Sequence, residues 1–262
     1  MQYLFDSWGG VARRLKSADH ILLLTDYDGT LTPIVGRPEL ATLPQETQKL
    51  LRRLARDHRH TVGVISGRAL ADLKDKVNVE GIIYAGNHGL EIEGFGSSFL
   101  EPIAEEMRPF LQMLKLALSA ALRGIKGVFV EDKGLTLSVH YRAAEQAEEK
   151  KIRDTLSRIA DPLHVTGQIR VTRGKKVYEI RPPVDWDKGK AIAWLIAKFR
   201  ETRGKGNVLP IYLGDDLTDE DGFKAIEKNK GISIFVGEGN SRSSARYFLK
   251  SPEEVVVFLK ML

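Results

Sequence analysis

In the stretch Ile21-Leu22-Leu23-Leu24-Thr25-Asp26-Tyr27-Asp28-Gly29-Thr30-Leu31, an unbroken apolar run ends abruptly in acid. A strand that is apolar at every position has both faces buried, as in a parallel sheet covered by helices on each side. The pattern recurs along the chain. Thr61 to Ile65 ends at Ser66-Gly67-Arg68, Ile82 to Ala85 at Gly86-Asn87-His88-Gly89, and Val208 to Leu213 at Gly214-Asp215-Asp216. Ile232 to Val236 is a further run of this type, ending at Gly237. Apolar residues at helical spacing fill the intervals, at Pro44 to Asp57, Ala69 to Val77, Asp187 to Arg200, Asp219 to Lys228 and Pro252 to Leu262. Strand and helix in alternation predict an α/β fold, a Rossmann-like doubly wound parallel sheet.

The middle of the chain departs from this alternation. Glu105 to Leu122 reads as one long helix, and Phe129 to Glu131 with Thr136 to His140 as a hairpin around Gly134. Ala143 to Ile159 reads as an amphipathic helix, followed by short strands at Val165 to Val171 and Lys176 to Ile180. Strand, strand and helix in this arrangement predict an inserted α+β domain. Residues 95–181 are assigned to it, and residues 1–94 and 182–262 to the core.

Composition narrows the function classes. At about 150 residues per domain, 262 residues allow a full core and a modest insertion. Hydrophobic residues at 42% and charged residues at 29% describe a folded globular chain. The absence of cysteine excludes disulfides, thiolate metal sites and a cysteine nucleophile, and suits a reducing compartment. The apolar stretch Phe110 to Leu122 is interrupted by Gln112 and Lys115 and falls short of the roughly 20 residues a spanning helix needs. A soluble, cytoplasmic protein with no membrane partner is expected. The net charge of +5 raises nucleic-acid binding, but the basic patches at Arg52 to His60 and Arg173 to Lys176 are short and lack interleaved aromatic residues. No nucleic-acid partner is expected.

In an open α/β sheet, ligands bind at the carboxyl ends of the strands. Four such ends here carry polar clusters, and Lys188 opens the helix before the last of them. Asp26 and Asp28 are two apart, so in extended backbone both carboxylates would face one ligand. Two acids so placed repel unless a cation or proton compensates, and Asp215 and Asp216 add further negative charge. Oxygen ligands without cysteine or a histidine pair suit a hard ion such as Mg²⁺. A carboxylate relieved by metal and lysine can attack phosphorus, and a neighbouring carboxyl can protonate the leaving oxygen. The Ser66 hydroxyl, backbone amides near Thr30 and Gly67, and the Lys188 ammonium are donors suited to phosphate oxygens. Taken singly, Asp-x-Asp-Gly, Ser-Gly and Gly-Asp-Asp are ordinary turn sequences. Their joint occurrence at successive strand ends points to phosphoryl transfer.

These motifs resemble those of the haloacid dehalogenase superfamily: Asp26-Tyr-Asp-Gly-Thr-Leu31, Ser66, Lys188 within Asp187-Lys-Gly-Lys190, and Gly214-Asp-Asp216 with Asp219. The inserted domain stands where that superfamily carries its larger caps. The resemblance implies Asp26 as nucleophile and Asp28 as general acid/base. It implies Mg²⁺ held by Asp26, Asp215 and the backbone carbonyl of Asp28, with Asp216 and Asp219 in support.

A closer resemblance, to the trehalose-6-phosphate phosphatases, rests on further stretches. They are Asp28-Gly-Thr-Leu-Thr-Pro-Ile34, Ser66-Gly-Arg68, Asn87-His-Gly-Leu-Glu91, His140-Tyr-Arg142, Gly174-Lys-Lys-Val-Tyr-Glu179 and Gly214-Asp-Asp-Leu-Thr-Asp-Glu-Asp221. It implies Mg²⁺-dependent hydrolysis of trehalose 6-phosphate through phospho-Asp26, and a phosphorylated disaccharide as the partner. Gly174, Lys176 and Glu179 would grip the distal sugar, with Arg68, Asn87, His88 and Arg142 as further substrate contacts. No fused synthase domain is expected in a chain of this length. Phosphatases of sucrose phosphate or mannosyl-3-phosphoglycerate, and a non-catalytic sugar-phosphate sensor, are the competing readings.

Overall fold

Alternate side chains of the strand His20–Thr25 enter different cores. Ile21 and Leu23 join one apolar layer, and Leu22 and Leu24 the other. This two-sided burial is what the unbroken apolar run requires. The computed structural model describes residues 1–174, 176–203, 206–239 and 242–262, so Lys175, within the basic patch and the Gly174 motif, lies outside the described residues.

The chain divides into two compact units, Met1–Phe99 with Trp186–Leu262, and Leu100–Asp185. The core elements before the insertion are β1 (Gln2–Tyr3), α1 (Trp8–Ser17), β2 (His20–Thr25), α2 (Gln45–Arg56), β3 (His60–Ile65), α3 (Leu70–Val77), β4 (Ile83–Gly86), β5 (Glu91–Gly94) and β6 (Ser97–Leu100). The inserted unit holds α4 (Pro102–Glu106), α5 (Arg108–Ala121), β7 (Phe129–Asp132), β8 (Leu137–His140), α6 (Glu149–Val165), β9 (Arg170–Gly174) and β10 (Val177–Arg181). The core resumes with α7 (Lys188–Arg203), β11 (Val208–Gly214), α8 (Glu220–Lys228), β12 (Ile232–Val236), β13 (Tyr247–Leu249) and α9 (Pro252–Met261).

The core sheet has nine strands in the order β1-β13-β12-β11-β2-β3-β4-β5-β6. The pairs from β1 through β4 are parallel, and β4 with β5 is antiparallel. One face is covered by α1, α2, α3 and α9 through residues such as Val11, Leu51, Leu73 and Phe258. The other is covered by α7 and α8 through Ile192, Leu195, Phe199 and Phe223. Because β2 lies between β11 and β3, and the chain leaves these two neighbours in opposite directions, the carboxyl ends of β2 and β11 stand at the topological switch point, where open sheets of this kind bind ligands.

The inserted unit is a four-stranded antiparallel sheet, β7-β8-β10-β9, with a core of its own. Leu111, Leu114 and Leu118 of α5 and Ile152 and Leu156 of α6 pack with Leu137, Val139, Tyr178 and Ile180. Alternate residues of the strands therefore point to the other face of the sheet.

Several sequence-based limits move. The helix expected over Glu105 to Leu122 is two helices, separated at Met107. The helix expected from Ala143 starts at Glu149, because Tyr141 N–H bonds to Lys176 O and Ala144 N–H to Tyr141 O, holding residues 141–144 in a turn against β10. Val165, expected to begin a strand, ends α6, where the Thr166 N–H caps Pro162 O; the strand follows at Arg170. The short strands β1, β5, β6 and β13 carry no periodic apolar signal. No helix among the described residues is long and apolar enough to cross a membrane.

Candidate active site

The strand β2 stops at Thr25, and the Asp26 N–H bonds to Leu213 O of β11 at 2.8 Å. Asp26 therefore sits where the two central strands end together. The chain then turns: Leu31 and Thr32 both donate to Tyr27 O, and Gly29 takes a φ of +84°. A Cβ on Gly29 would lie 2.1 Å from Asp215 Oδ2, so only glycine lets this turn approach the β11 end so closely.

Asp26, Asp215 and Asp219 each place a carboxylate oxygen within 4.8 Å of the others. Lys188 is the cation among them. Its Nζ donates to Asp26 Oδ1 and Asp219 Oδ1, both at 2.7 Å, and the side chain is 3% exposed. A lysine at a helix start is ordinarily disfavoured by the helix dipole. Here Asp187 caps α7 by accepting from Lys190 N–H at 2.8 Å, and the Lys188 side chain finds two carboxylates. Burial works against the charge on Lys188, but Asp219 and Asp26 outweigh it and raise its pKa well above the ordinary value.

Asp219 is fully buried and saturated. Besides Lys188 it accepts from Tyr212 Oη at 2.5 Å, Asp215 N–H at 2.9 Å and Asp216 N–H at 3.1 Å. Tyr212 was not singled out in the sequence, since an apolar strand hides a tyrosine among core residues. Burial, with Asp219 and Asp216 nearby, pushes the Asp215 carboxyl up to about 8. Burial also raises Asp26 well above the carboxylate range, with Asp219 and Asp215 adding to the effect against Lys188. Asp216 turns outward instead and caps the next turn, accepting from the N–H and hydroxyl of Thr218. Burial would raise its pKa, but Lys188 and the Thr218 bonds hold it below the usual value.

This donor set fits a hard divalent cation. It consists of carboxylate oxygens only, its excess negative charge exceeds what Lys188 neutralises, and Asp219 is already committed. Asp26 and Asp215 remain as the side chains with oxygens to offer. Thr30 Oγ1, in the same turn, is buried without a hydrogen-bond partner.

Asp28 does not join this cluster. The backbone turns from Tyr27 onward instead of continuing extended, and this takes the Asp28 side chain out of the carboxylate cluster. Asp28 is held instead by Arg68, Nε to Oδ2 and Nη2 to Oδ1, both at 2.7 Å. Arg68, expected as a substrate contact, also donates to Asp72 Oδ2 and Pro38 O, each at 2.8 Å.

The ends of β3 and β4 are joined. His88 N–H donates to Ser66 O at 2.9 Å and Asn87 N–H to Arg68 O at 2.7 Å. Asn87 and His88 both adopt left-handed φ values, 48° and 58°, a strained pair at a strand end. A Cβ on Gly67 would lie 2.7 Å from the His88 ring. Asn87 Nδ2 donates to Glu91 Oε1, which also accepts from Leu70 N–H. The Ser66 hydroxyl accepts from Arg68 N–H at 3.2 Å and is buried.

In the inserted unit, Glu179 shares a cross-strand row with Ser138 and Glu131 on the sheet face away from the helices. Lys133 Nζ is 4.0 Å from Glu179, and His140 meets Glu131 at 2.7 Å. Glu131 and Lys133 were not singled out; nothing in a hairpin sequence marks them. Lys176 sits in the β9–β10 turn with a φ of 64° and pairs with Glu149. Gly174 ends β9, and Arg142 is exposed after β8.

The family model described as trehalose-phosphatase matches residues 24–253. A probable trehalose-phosphate phosphatase of Oryza sativa is 35% identical, the alignment covering 98% of this chain and 73% of the relative. The trehalose-phosphate phosphatase of Mycobacterium avium is 38% identical over 93% of this chain and 62% of its own length. Among solved structures, the C-terminal domain of a Candida albicans trehalose-6-phosphate phosphatase superposes with a TM-score of 0.82 at 24% identity, covering 97% of this chain and 95% of that one. A haloacid dehalogenase-like hydrolase from Bacteroides thetaiotaomicron, at 16% identity, superposes with a TM-score of 0.61 over 92% and 98%. These two show the fold. The sequence match runs through the acidic strand ends of the core and the whole inserted unit, and on it the chain belongs to the trehalose-phosphatase family.

Proposed function

We propose that this phosphatase hydrolyses trehalose 6-phosphate to trehalose and phosphate in trehalose biosynthesis, with Asp26 as nucleophile. The supporting observation is the buried Lys188, which holds Asp26 by one oxygen, Oδ1, and fixes its orientation at the strand end. Asp26 attacks phosphorus, the bond from phosphorus to the sugar oxygen breaks, and Asp28 gives its proton to that leaving oxygen. Asp28 then takes a proton from the water that hydrolyses phospho-Asp26. Lys188, the Ser66 hydroxyl, Thr30 Oγ1 and backbone amides near Gly67 offer donors to the phosphate oxygens. Mg²⁺, held by Asp26, Asp215 and the Asp28 carbonyl, would supply charge neutralisation at the phosphate. Asp216 and Asp219 shape that site.

Hydroxyls both donate and accept, and the row containing Glu131 and Glu179, with Lys133 beside it, offers acceptors and donors to a sugar. We assign these residues, with Gly174, Lys176, Arg142, Asn87 and His88, to the disaccharide. A cytoplasmic location is part of this reading, in keeping with the cysteine-free composition. The test is phosphate release across a panel of phosphorylated disaccharides, with and without Mg²⁺. Trehalose 6-phosphate should be the preferred substrate, and Asp26→Asn should lower its turnover by about 10³-fold or more. Preference for another sugar phosphate would displace the substrate assignment, and undiminished turnover by the variant would remove Asp26 from the chemistry.

A further inference from the structure

We propose that Arg68 is the positioning residue for Asp28, orienting its carboxyl toward the leaving oxygen, and is not a phosphate ligand. The inference rests on reading Asp28 as the acid. Both Asp28 oxygens meet the guanidinium in a fork at 2.7 Å, the geometry that fixes a carboxylate in plane as well as in distance. The guanidinium is itself anchored on two other sides. Nη1 donates to Asp72 Oδ2 and Nη2 to Pro38 O, and the Tyr27 ring lies 5.2 Å from the guanidinium carbon.

The backbone of Arg68 is equally constrained. Its N–H donates to Ser66 Oγ, and its carbonyl accepts from Asn87 N–H. Four hydrogen bonds from one side chain to protein oxygens leave little of the fork for a substrate. Arg68 is 6% exposed. By contrast the Asp28 side chain is 41% exposed. Without Arg68 it would be free to rotate, and Asp215 nearby would repel it. A short acid on a turn is thereby given a fixed direction by an arginine on the neighbouring strand end.

An acid matters most when the leaving group is a poor one. An alkoxide of a sugar needs a proton in the transition state, whereas p-nitrophenolate departs without one. The quantity kcat/KM reads only the steps up to formation of phospho-Asp26, so it isolates leaving-group departure from the later attack of water. Measure it for trehalose 6-phosphate and p-nitrophenyl phosphate in wild type, Asp28→Asn, Arg68→Met, Arg68→Lys and Asp72→Asn.

Asp28→Asn should lose about 10³-fold on the sugar phosphate and under about 10-fold on the aryl ester. Arg68→Met should show the same selectivity, about 10²-fold against roughly 3-fold, with Arg68→Lys little better because one ammonium cannot form the fork. Asp72→Asn should lose less, in the same sense. Should Arg68→Met fail to fold, Arg68→Lys and Asp72→Asn carry the test. Equal losses on both substrates would make Arg68 a phosphate ligand or a purely structural residue, and a gain on the sugar phosphate would make it a restraint; either result overturns the proposal. If Asp28→Asn itself shows no selectivity, the assignment of Asp28 as acid fails first, and is seen to fail separately.

Discussion

Lysine–carboxylate pairs occur in both units of this chain, under opposite conditions. In the core, Lys188 and Asp26 are 3% and 4% exposed, and Lys188 is shared between two acids at 2.7 Å. In the inserted unit, the Lys176 side chain is 45% exposed and pairs with Glu149, while Lys133 stands 4.0 Å from Glu179. The first arrangement is fixed, since no rotation of Lys188 leaves Asp26 and Asp219 compensated. The Lys176–Glu149 pair can rearrange at small cost, because water replaces the partner that the half-exposed lysine loses. Phosphoryl transfer depends on fixed charges, whereas recognition of hydroxyls tolerates groups that adjust as the ligand arrives.

The largest effect that would sharpen this contrast is expected at Lys188. Lys188→Met leaves two buried carboxylates unpaired and should destabilise the protein by about 3–5 kcal/mol, besides abolishing turnover. Lys176→Met should change stability by less than about 1 kcal/mol. Denaturant unfolding of the two variants checks this, and similar losses would break the comparison.

The acid cluster should also respond to pH. Asp215 is raised to about 8 and Asp26 is raised as well, so the folded metal-free protein binds more protons than the unfolded chain. A carboxyl raised on folding contributes stability that is fully present below its unfolded pKa and is lost as pH rises through the folded one. The Tm of metal-free protein should therefore fall as pH rises from about 4 to about 8. Mg²⁺ should raise Tm more at pH 8 than at pH 6, because at pH 6 protons must first be displaced. Thermal scans with Mg²⁺ and with a chelator check both; a Tm of metal-free protein that rises over this interval would mean that Asp215 ionises freely.

A smaller effect is expected in the inserted unit. Glu179→Ala should raise KM for trehalose 6-phosphate by about 10-fold, equivalent to one charge-assisted hydrogen bond, and leave p-nitrophenyl phosphate unchanged. A fall in kcat on both substrates would place Glu179 in the chemistry and erase the division between the units.

The alternation of strands and helices was legible because strands buried on both faces have no polar positions to confuse the reading. The short strands β5 and β6 at one end of the sheet escaped it, being only partly buried. The amphipathic segments of the inserted unit were recognised as helices but with displaced limits, since their ends are decided by bonds such as Tyr141 N–H to Lys176 O. At the site, Asp26 and Asp215 stood out as polar residues at the ends of apolar strands, and Lys188 as a charge opening the helix before β11. Tyr212 was missed because a tyrosine in a strand looks like core until its hydroxyl is located on Asp219.

The sequence by itself determined which residues stand at the carboxyl ends of the core strands, because apolar runs and their polar stops follow from burial alone. Only the tertiary structure decided which cation each acid meets. Asp26 and Asp28 are two residues apart, yet one goes to Lys188, 162 positions away, and the other to Arg68, 40 positions away. The physical reason is the turn from Tyr27 through Gly29. It sends neighbouring side chains in different directions, and strand register sets what each one finds.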